Sequence, residues 1–535
     1  MSECMNCRQW PWIIVASLFF SLGLSPRLPA QTVDKAPAPG QQDAISPAVA
    51  KELKALRERI EQLERQAQTS KKNSPNGVPE ESPGTTEKAG DGALKQQMPS
   101  EDLVSSQADA GDNAKSAEPF AFADWTWLNG NPRTKTPAFD TAFFTPEIRV
   151  DADYIYDFNH PKDDTIGGSS EVFRSNEVQL TQLGVGGDFH FNNVRARIMT
   201  QFGMYSQTTP RNDASPSRGQ WNLDNAYRYV SEAYGGYHFN VLHGINVDAG
   251  IFMSYIGLAS YYNFDNWVYQ PSYVSSNTPW FFNGVRVQIF PTAHLKIEPW
   301  FVNGWQAYGR FNHRPGVGGQ ILWRPNSWLS VVGNQYALGA DVLGVPSRIR
   351  YHTDDSVQVK YYDKPDRWLD KAAFSLTGDA GCEHGGGVSC WGNSAKGPKQ
   401  SFLGFMVYNR LWFRKDMFGV TLGGGKINNP GRYLVLIPPI NGATATSGTP
   451  YFTENPGDAY KAWDASGTFD YMPSQYITFR WEYNHRAASV PYFSGEGGVT
   501  PSGGNTGLPG SFVSGFMPDL RKIENRLNFA MLVKF

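Results

Sequence analysis

Leu527-Asn528-Phe529-Ala530-Met531-Leu532-Val533-Lys534-Phe535 closes the chain. Leu527, Phe529, Met531, Val533 and Phe535 place an apolar group at every second position. A strand turns alternate side chains to opposite faces, so the stretch predicts a strand with one apolar side. A last strand ending on an aromatic is the expected signature of a bacterial outer-membrane barrel, with the aromatic in the girdle at the membrane interface.

Upstream, the same texture begins at Phe120. Sixteen alternating runs read as strands, roughly at 147–157, 176–191, 194–206, 225–240, 244–257, 281–290, 294–304, 316–324, 328–337, 355–363, 370–379, 401–414, 417–426, 460–472, 475–485 and 521–535. Tight turns separate some of them: Asn192-Asn193, Pro291-Thr292-Ala293, Arg324-Pro325-Asn326-Ser327 and Met472-Pro473-Ser474-Gln475. Long segments rich in Gly, Pro and Asn separate the others, around 207–224, 258–280, 338–354, 380–400, 427–459 and 486–520. Short connections alternating with long ones predict an all-β, transmembrane antiparallel barrel of about sixteen strands over 119–535, with short turns in the periplasm and long loops outside. A soluble β-sandwich also alternates, but it has no reason for loops that are long at one end only.

Each strand carries its charge on one face. Ile148, Val150, Ala152, Tyr154 and Tyr156 oppose Arg149, Asp151 and Asp153. Val194, Ala196, Ile198, Phe202 and Met204 oppose Arg195, Arg197 and Gln201. Val285, Val287 and Ile289 oppose Arg286 and Gln288, while Leu295 and Ile297 oppose Lys296 and Glu298. Val357, Val359 and Tyr361 oppose Gln358 and Lys360, and Ile477, Phe479, Trp481 and Tyr483 oppose Arg480 and Glu482. An Arg or Lys facing lipid at the midplane costs roughly 2–4 kcal/mol, so the charged face must look into the lumen. The candidate pore-lining groups are therefore Arg149, Asp151, Asp153, Arg195, Arg197, Arg286, Lys296, Glu298, Lys360, Arg410, Arg480 and Glu482, with Asp464 and Asp470 beside them. The alternative is that they pair with one another across the wall. Eight cations against six anions in this set are too even to set an ion preference.

The N-terminal part reads differently. Trp12 to Leu24 is an apolar run preceded by Arg8 and followed by Pro26, Pro29 and Ala30, which predicts a secretory signal peptide over 1–30. Val49, Leu53, Leu56, Ile60, Leu63 and Ala67 follow a heptad spacing with charged flanks, a short helix or coiled coil at 47–68. Residues 69–118 carry few large apolar groups and read as a disordered linker. The simpler reading of Phe122–Pro146 is a lead-in to the first strand; the alternative is a partial plug of the barrel.

Composition agrees with an exported barrel. Lys+Arg 48 against Asp+Glu 50 excludes a basic nucleic-acid binder. Tyr 25, Phe 33, Trp 16 and Gly 54, without a second long apolar run, exclude a helical membrane protein. Cys4 and Cys7 leave with the signal, and Cys382 and Cys390 close a Gly-rich loop as an expected disulfide. Cys382, His384 and Cys390 could otherwise supply three metal ligands, but no fourth is evident. No cofactor or metal is implied.

The block Gly257-Leu258-Ala259-Ser260-Tyr261-Tyr262-Asn263-Phe264-Asp265-Asn266-Trp267, continuing through Tyr273-Val274-Ser275-Ser276-Asn277-Thr278-Pro279-Trp280-Phe281-Phe282-Asn283-Gly284 to Pro299-Trp300-Phe301-Val302-Asn303-Gly304-Trp305, resembles the OmpL-like β-barrel porin family. The resemblance covers Phe120 to Phe535. It implies an outer-membrane porin passing small hydrophilic solutes or ions by diffusion, and it carries over no binding residues.

Three functions compete on these features. A passive porin would have outer-membrane lipid and small solutes as partners, a homotrimer as its assembly, and Phe535 as the contact for the barrel-assembly machinery. A structural or adhesion barrel would have its bore filled by inward Tyr, Trp and Arg. An enzyme would need a nucleophile beside a base. His160, His190, His238, His243, His294, His313, His352, His384 and His485 are scattered with no assignable partner, so no enzyme is expected.

Overall fold

The computed structural model describes Lys54 and residues 118–535 apart from Ser170, Asn393, Ser394, Glu454 and Thr506. The expected signal peptide, heptad segment and linker lie outside the described residues, apart from Lys54 and Glu118.

Fifteen barrel strands precede the closing one. They are β1 (Phe144–Asp157), β2 (Val178–Phe191), β3 (Val194–Thr200), β4 (Val230–Phe239), β5 (Ile245–Met253), β6 (Phe281–Thr292), β7 (Leu295–Val302), β8 (Gly316–Asn326), β9 (Leu329–Ala337), β10 (Ile349–Asp363), β11 (Leu369–His384), β12 (Ser401–Phe413), β13 (Phe418–Asn429), β14 (Tyr460–Ser474) and β15 (Ile477–Ala488). The closing strand, Ile523–Lys534, pairs antiparallel with β15 on one side and β1 on the other. Arg149 stands opposite Lys534, and Asp157 opposite Arg526. Sixteen antiparallel strands thus form a closed barrel, which leaves no unpaired sheet edge. No helix among the described residues is long and apolar enough to cross a membrane.

Alternation sets which face looks where. In the closing strand Phe529 and Met531 are about two-fifths exposed on the outside (39% and 41%). Asn528, Ala530, Leu532 and Lys534 are buried on the inside. The outer band is largely apolar, with Ile148, Val194, Ile198, Val285, Ile297, Val357, Trp481 and Tyr483 exposed. The bore is polar and charged, the inverse of a soluble core.

Strand ends shifted where local geometry overrode pattern. The run 194–206 stops as a strand at Thr200. Gly203 turns the chain at φ +89°, and a Cβ there would lie 2.4 Å from the Leu180 carbonyl. Phe202 still bridges Leu183 and stays exposed on the outer face, but Tyr205–Thr208 then makes a helical turn, so Met204 leaves the strand predicted for it. In contrast, β10 starts earlier than expected and β11 runs on to His384, taking Cys382 into the ladder. Cys382 is bonded to Cys390, with Cα atoms 5.0 Å apart.

Candidate functional site

Two segments enter the bore from opposite ends and meet inside it. The first is the stretch before β1, residues 118–134. The Phe120 amide donates to the Ala293 carbonyl in the β6–β7 turn (2.8 Å). Across the barrel, Asn131 Nδ2 donates to the carbonyls of Ser474 and Ile477 (3.1 and 3.3 Å) in the β14–β15 turn. Arg133 donates to the Met472 carbonyl and the Thr134 hydroxyl to the Gln475 carbonyl, each at 2.6 Å. Between these anchors Phe120, Trp125 and Trp127 are buried. The Arg324 guanidinium of β8 lies over the rings of Phe120 and Trp125 at 5.2 and 4.6 Å. Residues 118–134 therefore span the short-turn mouth as a plug, which corrects the lead-in reading for that part, while residues 135–143 are largely exposed and lead into β1. The burial of two tryptophans is the physical reason, since each gains more inside than in solvent.

The second is the loop 254–280, which joins β5 to β6 from the long-loop end. Much of its anchoring comes from the charged groups expected to line an open pore. Asp265 accepts from Arg149 at 2.8 Å and stands 3.4 Å from the Lys534 ammonium. Tyr269 donates its hydroxyl to both Asp151 (2.9 Å) and Asp153 (2.7 Å), and Asn263 donates to Asp151 at 2.8 Å. The amides of Tyr269 and Gln270 donate to Glu482 at 2.6 and 2.9 Å. Ser272 and the amide of Tyr273 donate to Asp464 at 2.6 and 3.1 Å. Arg480 donates to the carbonyls of Asn263, Val268 and Asn266 at 3.1, 2.9 and 2.7 Å.

The two segments touch at Gly130. Its amide donates to the Asp265 carbonyl at 2.8 Å. A Cβ on Gly130 would lie 2.3 Å from the Phe264 carbonyl oxygen and 2.4 Å from that of Asn266, so only glycine permits this approach. Trp267 Nε1 donates to the Trp127 carbonyl at 3.3 Å. Arg410 of β12 joins both segments to the wall. Its Nη1 donates to the Trp267 carbonyl (2.8 Å), and its Nη2 to the Gly130 carbonyl (2.8 Å) and Asp470 (2.7 Å).

The remaining candidates are paired along the wall. Arg195 and Arg286 stand 3.3 and 3.0 Å from Asp248. Arg197 is ringed by Asp188, Glu232 and Glu147 at 2.8, 3.0 and 3.1 Å. Lys296 meets Glu298, and Lys360 meets Asp363, each at 2.6 Å. All twelve candidates face inward and all but Lys360 are buried. An aromatic cluster of Tyr234, Phe252, Tyr255, Phe282, Trp300, Trp305 and Tyr336 fills the long-loop half of the bore against β4–β9. Sequence reading placed the wall charges but missed their partners Asp265 and Tyr269, and the anchor Asn131, all of which sit outside the strands. The one usable signal was that loop 254–280 carries polar and aromatic groups in the family-like block. Among the described residues no three His, Cys, Asp or Glu side chains are placed to hold a metal ion.

The family model described as Putative beta-barrel porin-2, OmpL-like matches residues 148–514. The chain belongs to this family. It is an outer-membrane barrel of the porin type. Solved structures with a similar barrel include the outer-membrane channel DcaP of Acinetobacter baumannii, 13% identical over 75% of this chain and 100% of that one, with a TM-score of 0.41. The anion-selective porin from Comamonas acidovorans is 10% identical over 73% and 99%, with a TM-score of 0.40. OprB of Pseudomonas putida is 9% identical over 74% and 94%, with a TM-score of 0.42. No curated protein sequence matches the chain.

Proposed function

We propose that this barrel is a passive diffusion channel for small hydrophilic solutes or ions, closed at rest by residues 118–134. In this reading the short turns and the plug face the periplasm, the long loops face outward, and copies assemble as a homotrimer. The observation that carries it is the unequal anchoring of the two inserts. Loop 254–280 is tied by buried ions of β1, β14, β15 and the closing strand, as a fixed constriction would be. The plug is tied mainly to main-chain carbonyls at turns, as a removable part would be. Single-channel recording of refolded 31–535 in a planar bilayer, beside the same chain lacking 119–134, tests this. The intact chain should stay closed for long periods and the deletion should conduct in stable steps. A folded deletion variant that never conducts defeats the proposal. The second reading, a non-conducting structural or adhesion barrel, is favoured by the aromatic cluster that fills the bore against β4–β9, and that silent outcome would select it.

A further inference from the structure

Two guanidinium groups share a single carboxylate where the plug meets the loop. Asp470 takes Arg410 Nη2 at 2.7 Å on Oδ2, and Arg480 Nε at 2.7 Å on Oδ1. Two further carboxylates make their hydrogen bonds with other groups. Glu482 accepts the amides of Tyr269 and Gln270 and the hydroxyl of Thr468. Asp416 stands 2.8 Å from Lys371. The second positive charge is met instead by carbonyl oxygens, those of Asn263, Asn266 and Val268 on Arg480 and those of Trp267 and Gly130 on Arg410. Four of these five belong to the fixed loop. The fifth, Gly130, belongs to the plug. Arg410 Nε has no hydrogen-bond partner, and the residue is wholly buried.

We infer that Arg410, backed by Arg480, is the anion-recognising group of the open channel, and that the Gly130 carbonyl occupies its place in the closed state. The inference rests on the gated reading above. When the plug withdraws, Nη2 keeps Asp470 but loses its carbonyl acceptor while Nη1 stays fixed on Trp267 and Thr421, so the donors left open are Nε and one Nη2 hydrogen. A guanidinium held in one orientation presents a fork that suits the paired oxygens of a carboxylate or phosphate. The solutes favoured are thus small anions carrying those groups.

The test uses two routes to an open channel: deletion of 119–134, and Gly130→Ala in the full chain, whose added methyl collides with the loop backbone. Reversal potential in a KCl gradient should show chloride preferred over potassium, and inorganic phosphate should block the current. Arg410→Gln leaves Asp470 balanced by Arg480, so the barrel should survive it. Added to either opened variant, it should reduce the chloride preference and raise the half-blocking phosphate concentration roughly ten- to a hundredfold, as expected for one lost charge-assisted hydrogen bond. Conducting variants that prefer potassium, or whose phosphate block ignores Arg410→Gln, overturn this inference and leave the gated channel standing. Folded variants of both kinds that stay silent overturn the gated channel as well.

Discussion

The plug 118–134 and the loop 254–280 occupy the same bore but are held by different physics. The loop threads through buried ions, each fully satisfied only while the loop stays. Withdrawing it would take from Asp151 both of its donors, and from Asp153, Asp464, Glu482, Arg149 and Arg480 part of the hydrogen bonding that compensates their burial. An unpaired buried charge costs several kcal/mol, so the loop is fixed by the expense of its absence. The plug is tied to main-chain carbonyls at the rim, and among the charged wall groups it touches Arg410 loses one carbonyl acceptor while Arg324 and Lys360 lose only aromatic faces. Its main gain is the burial of Phe120, Trp125 and Trp127, worth roughly 1.5–3 kcal/mol for a large apolar side chain. The contrast teaches that occupancy of a pore says little about mobility; the ionisation of the contacts does.

The sharpest attempt to break this contrast is Asp470→Asn. It removes the sole carboxylate between Arg410 and Arg480, and the barrel should lose about 3–5 kcal/mol, read as earlier heat-induced mobility loss of the folded band on gels. If the band is unchanged, the ionic account of the loop is wrong. Glu482→Gln should cost less, about 1.5–3 kcal/mol, because an amide oxygen still accepts one loop amide; proteolysis within 263–276 should quicken before the barrel unfolds.

Asn131→Ala should cost about 1 kcal/mol and act on the plug alone. Openings in a bilayer should become more frequent while barrel unfolding stays where it was. A matching fall in barrel stability would mean that the plug is as structural as the loop.

The outer rim gives the smallest expected effect and a third kind of anchor. Asp213, in the loop between β3 and β4, accepts from the Ser215 amide and hydroxyl (3.0 and 2.6 Å) and from the Tyr308 amide (3.2 Å) of the neighbouring loop. Burial pushes its carboxyl up to about 6, although those hydrogen bonds pull it down. The folded rim binds the proton more tightly than the free chain, so the rim gains stability as pH falls from about 6 toward 4 and loses it as pH rises through 6. Amide exchange in 207–217 should be slower at pH 5 than at pH 7 after correction for intrinsic rates, and Asp213→Asn should remove the difference. An unchanged difference in the variant would assign it to another group.

Period-two alternation, with connections short at one end and long at the other, determined that this chain builds a barrel and which side of each strand meets lipid. Those features follow from local rules: a pleat places alternate side chains on opposite faces, and a charge cannot face hydrocarbon. Arg149, Asp151, Arg410 and Arg480 were legible as inward groups for that reason. Their use was not legible. Arg410 lies 280 positions from Gly130, and Glu482 lies 213 from Tyr269. No spacing encodes such contacts, because they exist only after the sheet closes and brings distant strands around one bore. Nor did Trp125 and Trp127 announce themselves as a plug, since two tryptophans before a strand serve equally well in a membrane girdle. The closed tertiary structure decided that they turn inward, by giving their rings an enclosed, cation-faced pocket that the outer surface lacks.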